Sequence, residues 1–213
     1  MARRGSLDRD RVLRAALDLV DERGLEALSM RRLAQELGVE AMSLYNHVEN
    51  KEDVLAGILD LVAAEVAPPA ADAGWKDWLR EHAIASHEAF AKRPWAARIW
   101  MTSSRSNADR MASADGVLAR LRDGGLDPSV VYQAFHVLEG YTLGYTLQQG
   151  EFPYKGAELE RRAAQFMRDF PVDRYPDLAR HIEQHLKPHD GAGSFEFGLD
   201  LILDGLERLA SRA

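Results

Sequence analysis

The stretch Leu28-Ser29-Met30-Arg31-Arg32-Leu33-Ala34-Gln35-Glu36-Leu37-Gly38-Val39-Glu40-Ala41-Met42-Ser43-Leu44-Tyr45-Asn46-His47-Val48 decides the architecture. Ser29 stands where a helix N-cap stands, with an apolar-periodic run behind it. Gly38 closes that run, where a left-handed residue is needed and glycine adopts it without strain. Ala34 is small where two short helices must cross. Leu33, Leu37, Val39, Leu44 and Val48 are expected to face inward, against a preceding helix. Helix, glycine corner, helix at this spacing presents its second helix to the major groove of DNA.

That second helix is expected over about Ala41 to His47. Its exposed set is Ala41, Met42, Ser43, Tyr45, Asn46 and His47. Ala41 and Met42 suit thymine methyl groups, and Ser43 and Asn46 suit base edges or phosphates. Lys51 opens the next helix, where an ammonium and a helix N-terminus both favour phosphate. Arg31, in the first turn of the preceding helix, is placed to reach a guanine. Spacing alone also fits a plain three-helix packing unit whose polar residues are merely solvated.

Working outward, a first helix runs from about Asp8 to Gly24, with Leu13, Ala16, Leu17 and Val20 on one face. Asn50 caps a fourth helix towards Val66, with Asp53 three residues on, as in a capping box. Pro68-Pro69-Ala70-Ala71-Asp72-Ala73-Gly74 is the sharpest break in the chain. Helical periodicity then recurs at about 75–92, 95–103, 107–123, 128–149, 157–169, 176–186 and 195–211. The expected fold is all-α: a helix-turn-helix head over 1–50, a connecting helix over 51–66, and a larger body over 67–213.

Of the 213 residues 46% are hydrophobic, which is enough for a well-buried core. The net charge of −7 by itself argues against nucleic acid, but its distribution changes that reading. Residues 1–51 hold nine Lys and Arg against nine Asp and Glu, so the whole deficit lies behind them. Arg3, Arg4, Arg9, Arg11 and Arg14 crowd the N-terminal end, compatible with one end binding DNA. The absence of Cys excludes disulfides and thiolate metal sites. No apolar run follows the basic Met1-Ala2-Arg3-Arg4, and Asp60 and Glu65 break the longest apolar stretch, so neither a leader nor a membrane span is expected. A cytoplasmic protein without a cofactor is the expectation.

Residues 8–66 resemble the DNA-binding head of the TetR family of bacterial repressors. The likeness is carried by Leu33-Ala34-Gln35-Glu36-Leu37-Gly38-Val39 and by Ser43-Leu44-Tyr45-Asn46-His47-Val48-Glu49-Asn50-Lys51. It extends to Thr142-Leu143-Gly144 and to the closing run Phe197-Gly198-Leu199-Asp200-Leu201-Ile202-Leu203-Asp204-Gly205-Leu206, as in the branch that contains the tetracycline repressor. By that resemblance Arg31, Met42, Ser43, Tyr45, His47 and Lys51 fall on positions that touch DNA. It implies a repressor released from double-stranded operator DNA by a small-molecule effector, and a homodimer with recognition helices about 34–36 Å apart. An activator with the same head makes identical contacts. His82, Ser86 and Trp100 stand where the tetracycline site has other residues, so a different effector is implied.

In the body, Glu139 is the one charged residue between Ser129 and Gly150. It shares a stripe with Tyr132, Phe135, His136, Thr142 and Thr146. Aromatic side chains with a few polar groups suit a small-molecule pocket, to which His82, Ser86, Trp100 and Met101 are added from earlier helices. The carboxylate suits a cationic ligand group or an internal Arg. In the last helix Phe195, Leu199, Ile202, Leu206 and Leu209 alternate by four and three, a coiled-coil-like seam, with Gly198 and Gly205 beside it. The resemblance implies that this helix and the 128–149 helix pair with their symmetry mates. His181 and His185 are one turn apart, with His189 at the next interval. A metal-dependent enzyme using them and Glu183 is the rival, though Ile182 breaks the HExxH pattern and no metal is expected.

Overall fold

The computed structural model describes residues 6–102, 108–151, 156–185 and 194–211, whose regular structure is helical with no strand among them. The head comprises α1 (Arg9–Arg23), a single 3-10 turn at Leu25–Ala27, α2 (Met30–Leu37) and α3 (Ala41–Leu44). The connecting helix α4 spans Lys51–Ala63. The body comprises α5 (Trp75–Ala91), α6 (Pro94–Thr102), α7 (Ala108–Asp123), α8 (Pro128–Glu151), α9 (Gly156–Arg168), α10 (Pro176–His185) and α11 (Ser194–Ala210).

Local chemistry sets the head's boundaries. The Asp8 carboxylate accepts from the Arg11 amide and the Ser29 hydroxyl accepts from the Arg32 amide. Gly38 sits at φ 66°, ψ 37°, the left-handed corner the sequence requires. The recognition element is shorter than its sequence signal. Helix ends at Leu44, and the amides of His47 and Val48 both donate to the Leu44 carbonyl, at 2.9 and 3.0 Å. That tightening seats Val48 in the core before Asn50 begins a new cap. Val12, Ala16, Val20, Leu33, Leu44, Val54 and Ile58 form the head's core, so α4 belongs to it through its first two turns. A Cβ on Gly57 would come within 2.5 Å of Leu13, which is why glycine stands where α1 and α4 cross.

A second core joins α5, α7, α8 and α11 through Leu79, Leu121, Leu138, Leu199 and Leu203. Between them lies a smaller cluster made of Leu59 and Val62 from α4 with Phe90, Ala96, Ala97, Trp100 and Leu143 from the body. Arg93, at the corner between α5 and α6, clamps this joint. Its Nε donates to Asp21 at 2.7 Å, and its NH1 donates to both carboxylate oxygens of Glu65 at 2.8 Å. Asp21 lies on α1 and Glu65 just past α4, so one guanidinium ties head, connector and body together.

The last helix corrects the expected seam. Phe195, Leu199 and Leu206 are buried inside their own chain, and a Cβ on Gly198 would overlap the phenol of Tyr141. Outward stand Phe197, 67% exposed, and Leu201, 57% exposed, neither of them in the expected seam, while of the seam itself only Leu209 is exposed. Lys76 and Arg80 of α5 pair with Asp204 and Glu207, and with Glu196 and Asp200, along the flank of α11.

Candidate functional site

Two sites emerge, joined by α4. At the first, α3 and the turn after it lift a small surface out of the head. Met42 is 75% exposed and Tyr45 47%, unusual for large apolar side chains with a core below them. Arg31, Asn46 and Lys51 are exposed beside them, while Ser43 and His47 are half-buried. Ala41 packs partly against the head's core. Of the eight expected residues, Arg31, Met42, Tyr45, Asn46 and Lys51 are thus exposed, and Ala41, Ser43 and His47 are half-buried.

This surface is braced from behind by a pair that the sequence did not reveal. The Arg9 guanidinium donates to both oxygens of Asp53 at 2.9 and 2.8 Å, and to the His47 carbonyl at 3.1 Å. Asp53 also accepts from the Glu49 amide at 2.9 Å, while its own amide donates to the Asn50 side chain. The reciprocal half of the capping box is therefore displaced by one residue, to the Glu49 amide, on a carboxylate that Arg9 also holds. Asp53 was legible as a cap, whereas its partner, 44 residues away, had no local signal.

At the second site, the end of α4 and helices α5 to α8 enclose a cavity of about 720 Å³. His82, Ser86, Trp100, Phe135 and Glu139 line it, as expected. Met101, Tyr132 and His136 do not. Met101 is exposed on α6, and Tyr132 (62% exposed) packs edge-on against the exposed His136. Helix phase alone does not separate them: at about 100° per residue, Tyr132 stands about 20° from Glu139, so the packing of the neighbouring helices decides which residues face the cavity.

Sequence reasoning missed Trp78, Phe90, Arg110 and Ser113, and the backbone corner from Val66 to Pro69. Thr142 was visible as a stripe member. The others carried no signal, since only the packing of α5 and α7 turns them inward. Trp78 stacks on His82 with ring centroids 5.1 Å apart, and Phe90 meets Trp100 edge-on at 5.2 Å. Burial pushes the His82 imidazole below its ordinary value, so it is uncharged at neutral pH. Behind the cavity the His87 ring lies 2.8 Å from the Thr146 hydroxyl and stacks on Phe195, joining α5, α8 and α11.

His181 is exposed on α10, while the His185 side chain and His189 lie outside the described residues. Among the described residues, no three His, Asp or Glu side chains gather to hold a metal.

Comparison with known proteins agrees with this layout. Residues 12–58 match the family described as bacterial regulatory proteins, tetR family, and residues 67–210 match the tetracyclin repressor-like C-terminal domain. The chain belongs to the TetR family. Among its relatives, the HTH-type transcriptional repressor DrrR1 of Streptomyces coeruleorubidus is 34% identical, over 97% of this chain and 80% of that protein. The class D tetracycline repressor protein of Escherichia coli is 30% identical, over 94% and 89%. A crystal structure of the TetR family protein ActR from Streptomyces coelicolor, in complex with actinorhodin, superimposes with a TM-score of 0.82 at 28% identity, covering 97% of this chain and 99% of that one. This TetR-family chain is accordingly an all-α, DNA-binding transcriptional regulator, with its helix-turn-helix ahead of a larger helical body. No helix among its described residues is long and apolar enough to cross a membrane.

Proposed function

We propose that this regulator is a homodimeric repressor whose grip on its operator is released by a small molecule held in the body cavity. One observation carries the reading: α4 reaches both sites. Its first turn, through Asn50 and Asp53, holds the recognition turn in place. Its last residues, Ala63 and Ala64, with the corner that follows, form a wall of the cavity. A ligand pressing on that wall displaces the helix on which the recognition surface is mounted.

The head over 1–50 reads DNA through Met42, Ser43, Tyr45, Asn46 and His47, with Ala41 beneath them. Arg31 and Lys51 supply cationic contacts. The connecting segment spans 51–66 and is helical as far as Ala63. The body over 67–213 binds the effector with His82, Ser86, Trp100, Phe135 and Glu139. A second copy covers the outward apolar face of α11 together with Val137 on α8, which fixes the distance between the two heads. The ligand shifts operator affinity only by its own preference between the two states, about 1–3 kcal/mol.

Fluorescence anisotropy on the intergenic DNA upstream of the protein's own gene, against scrambled DNA at about 150 mM salt, tests the reading. A specificity ratio above ~10³ supports it. Equal weak binding to both, with the dimer intact, counts against operator recognition there.

A further inference from the structure

We propose that the cavity takes a flat aromatic molecule carrying a protonated amine, its ring system between the aromatic walls and its ammonium on Glu139. This rests on the cavity being the effector site and names the chemistry of what fills it.

The inference starts from an unmatched charge. Glu139 is half-buried in the middle of α8 and opens on the cavity, with Phe135 and Thr142 a turn to either side. Among the described residues its carboxylate has neither an ion pair nor a hydrogen-bond donor. The other charged lining residue, Arg110, lies with its guanidinium 4.8 Å from the centre of the Trp100 ring. His82, the remaining ionisable group of the wall, is stacked on Trp78 and held neutral by burial, so it offers no positive charge.

A ligand that fills this cavity strips water from Glu139. A neutral or anionic ligand leaves the carboxylate dehydrated and unpaired, which is costly. An ammonium supplies charge-assisted donors at that point. The rest of the wall selects the ligand's body. Trp78, Phe90, Trp100 and Phe135 present four aromatic side chains, whose ring faces attract cations as well as flat apolar surface. A cavity of about 720 Å³ is of the size that buries most of a drug-sized molecule.

Three probes of one shape separate the possibilities: 9-(aminomethyl)anthracene, 9-anthracenemethanol and 9-anthracenecarboxylate. Each is titrated into the full-length protein and followed by anthracene fluorescence anisotropy. The amine is expected to bind at least about tenfold more tightly than the alcohol, as a hydrogen-bonded charge requires. Glu139→Gln is expected to abolish that preference, the alcohol binding at least as tightly as it does to the wild type because no carboxylate is left to be dehydrated. Glu139→Asp, which keeps the charge, is expected to retain the preference, and guards against reading a folding defect as a lost contact. If the alcohol or carboxylate binds as well as the amine, and Ser86→Trp blocks that binding, the cationic class is wrong while the cavity reading stands. If none binds, or Ser86→Trp changes nothing, the cavity reading fails and the proposal with it.

Discussion

Arg9 and Asp53 join the start of the first helix to the start of the fourth, through two parallel hydrogen bonds of 2.9 and 2.8 Å. Between these helices in sequence lies the whole recognition unit. The pair therefore closes a loop around α2 and α3, and the same guanidinium holds the His47 carbonyl at its end. Asp53→Ala removes the acceptor for Arg9 and for the Glu49 amide together. Arg9 is half exposed, so the expected loss of stability is modest, about 1–2 kcal/mol. Operator affinity is expected to fall more than tenfold (roughly, by the same energies), because the recognition turn loses its brace. Anisotropy and thermal melting of the same sample check this. Unaltered affinity alongside a lowered melting temperature would show that the pair stabilises the head without shaping its DNA surface.

The proposed DNA surface assigns Lys51 and Tyr45 two kinds of contact, with phosphate and with bases. Lys51→Ala is expected to weaken binding to all sequences alike, and to reduce the slope of log affinity against log salt by roughly 1. Tyr45→Ala is expected to weaken operator binding by about 1–3 kcal/mol while leaving that slope nearly unchanged. A salt titration from low to physiological ionic strength distinguishes them. Identical salt slopes in wild type and Lys51→Ala would remove Lys51 from the phosphate contacts.

Arg93 holds Asp21 and Glu65 at once and is itself largely buried. Arg93→Ala leaves two carboxylates facing each other at the joint between head and body. Head and body are expected to melt together in the wild type and as two separate transitions in the variant, by scanning calorimetry. A single transition at the original temperature would mean that the apolar cluster of Leu59, Val62 and Trp100 carries the coupling alone.

Phe197 and Leu201 lie one turn apart on the outward face of α11. Replacing Leu201 by Asp puts a charge into the proposed dimer contact without touching the chain's own core. Sedimentation is expected to show a monomer, and operator affinity is expected to drop sharply as the second head is lost. A dimer of undiminished stability would place the contact elsewhere.

His82 and His87 both titrate below the ordinary imidazole value of 6.5, because burial opposes their charged forms. The unfolded chain binds protons at these positions before the folded one does. Their stabilising contribution is thus complete above about pH 6.5 and is lost as pH falls through the two folded values. Melting temperature is expected to decline between pH 7 and pH 5, and less steeply after His82→Gln. An equal decline in both proteins would exclude His82 as a source of the acid sensitivity.

The head was legible because its signals are local. Ser29, Gly38 and Asn50 act on backbone groups within four residues, so their roles follow from spacing. The exposed recognition residues follow as the remainder of a short helix whose apolar side is already spoken for. The α8 stripe behaved differently. Phe135, Glu139 and Thr142 face the cavity, but Tyr132 and His136, read as part of the same stripe, face outward. Nothing within α8 distinguishes the two arcs. The packing of α5, α6 and α7 against one of them does.

The same division explains α11. Steps of four and three along Phe195, Leu199, Ile202, Leu206 and Leu209 mark a helix that packs on another, without saying whether the partner is its own chain or a second copy. Leu199 and Leu203 turn out to be wholly buried against α5 and α8 of the same chain, which leaves Phe197 and Leu201 outside. Sequence by itself determined helix positions, caps, the glycine corner and the DNA-binding class, since each depends on neighbours within a turn or two. Tertiary structure decided the Arg9–Asp53 brace, the Arg93 clamp, the cavity wall and the outward apolar face. These depend on which distant helices meet, and a helix's own periodicity constrains only that it has a buried side.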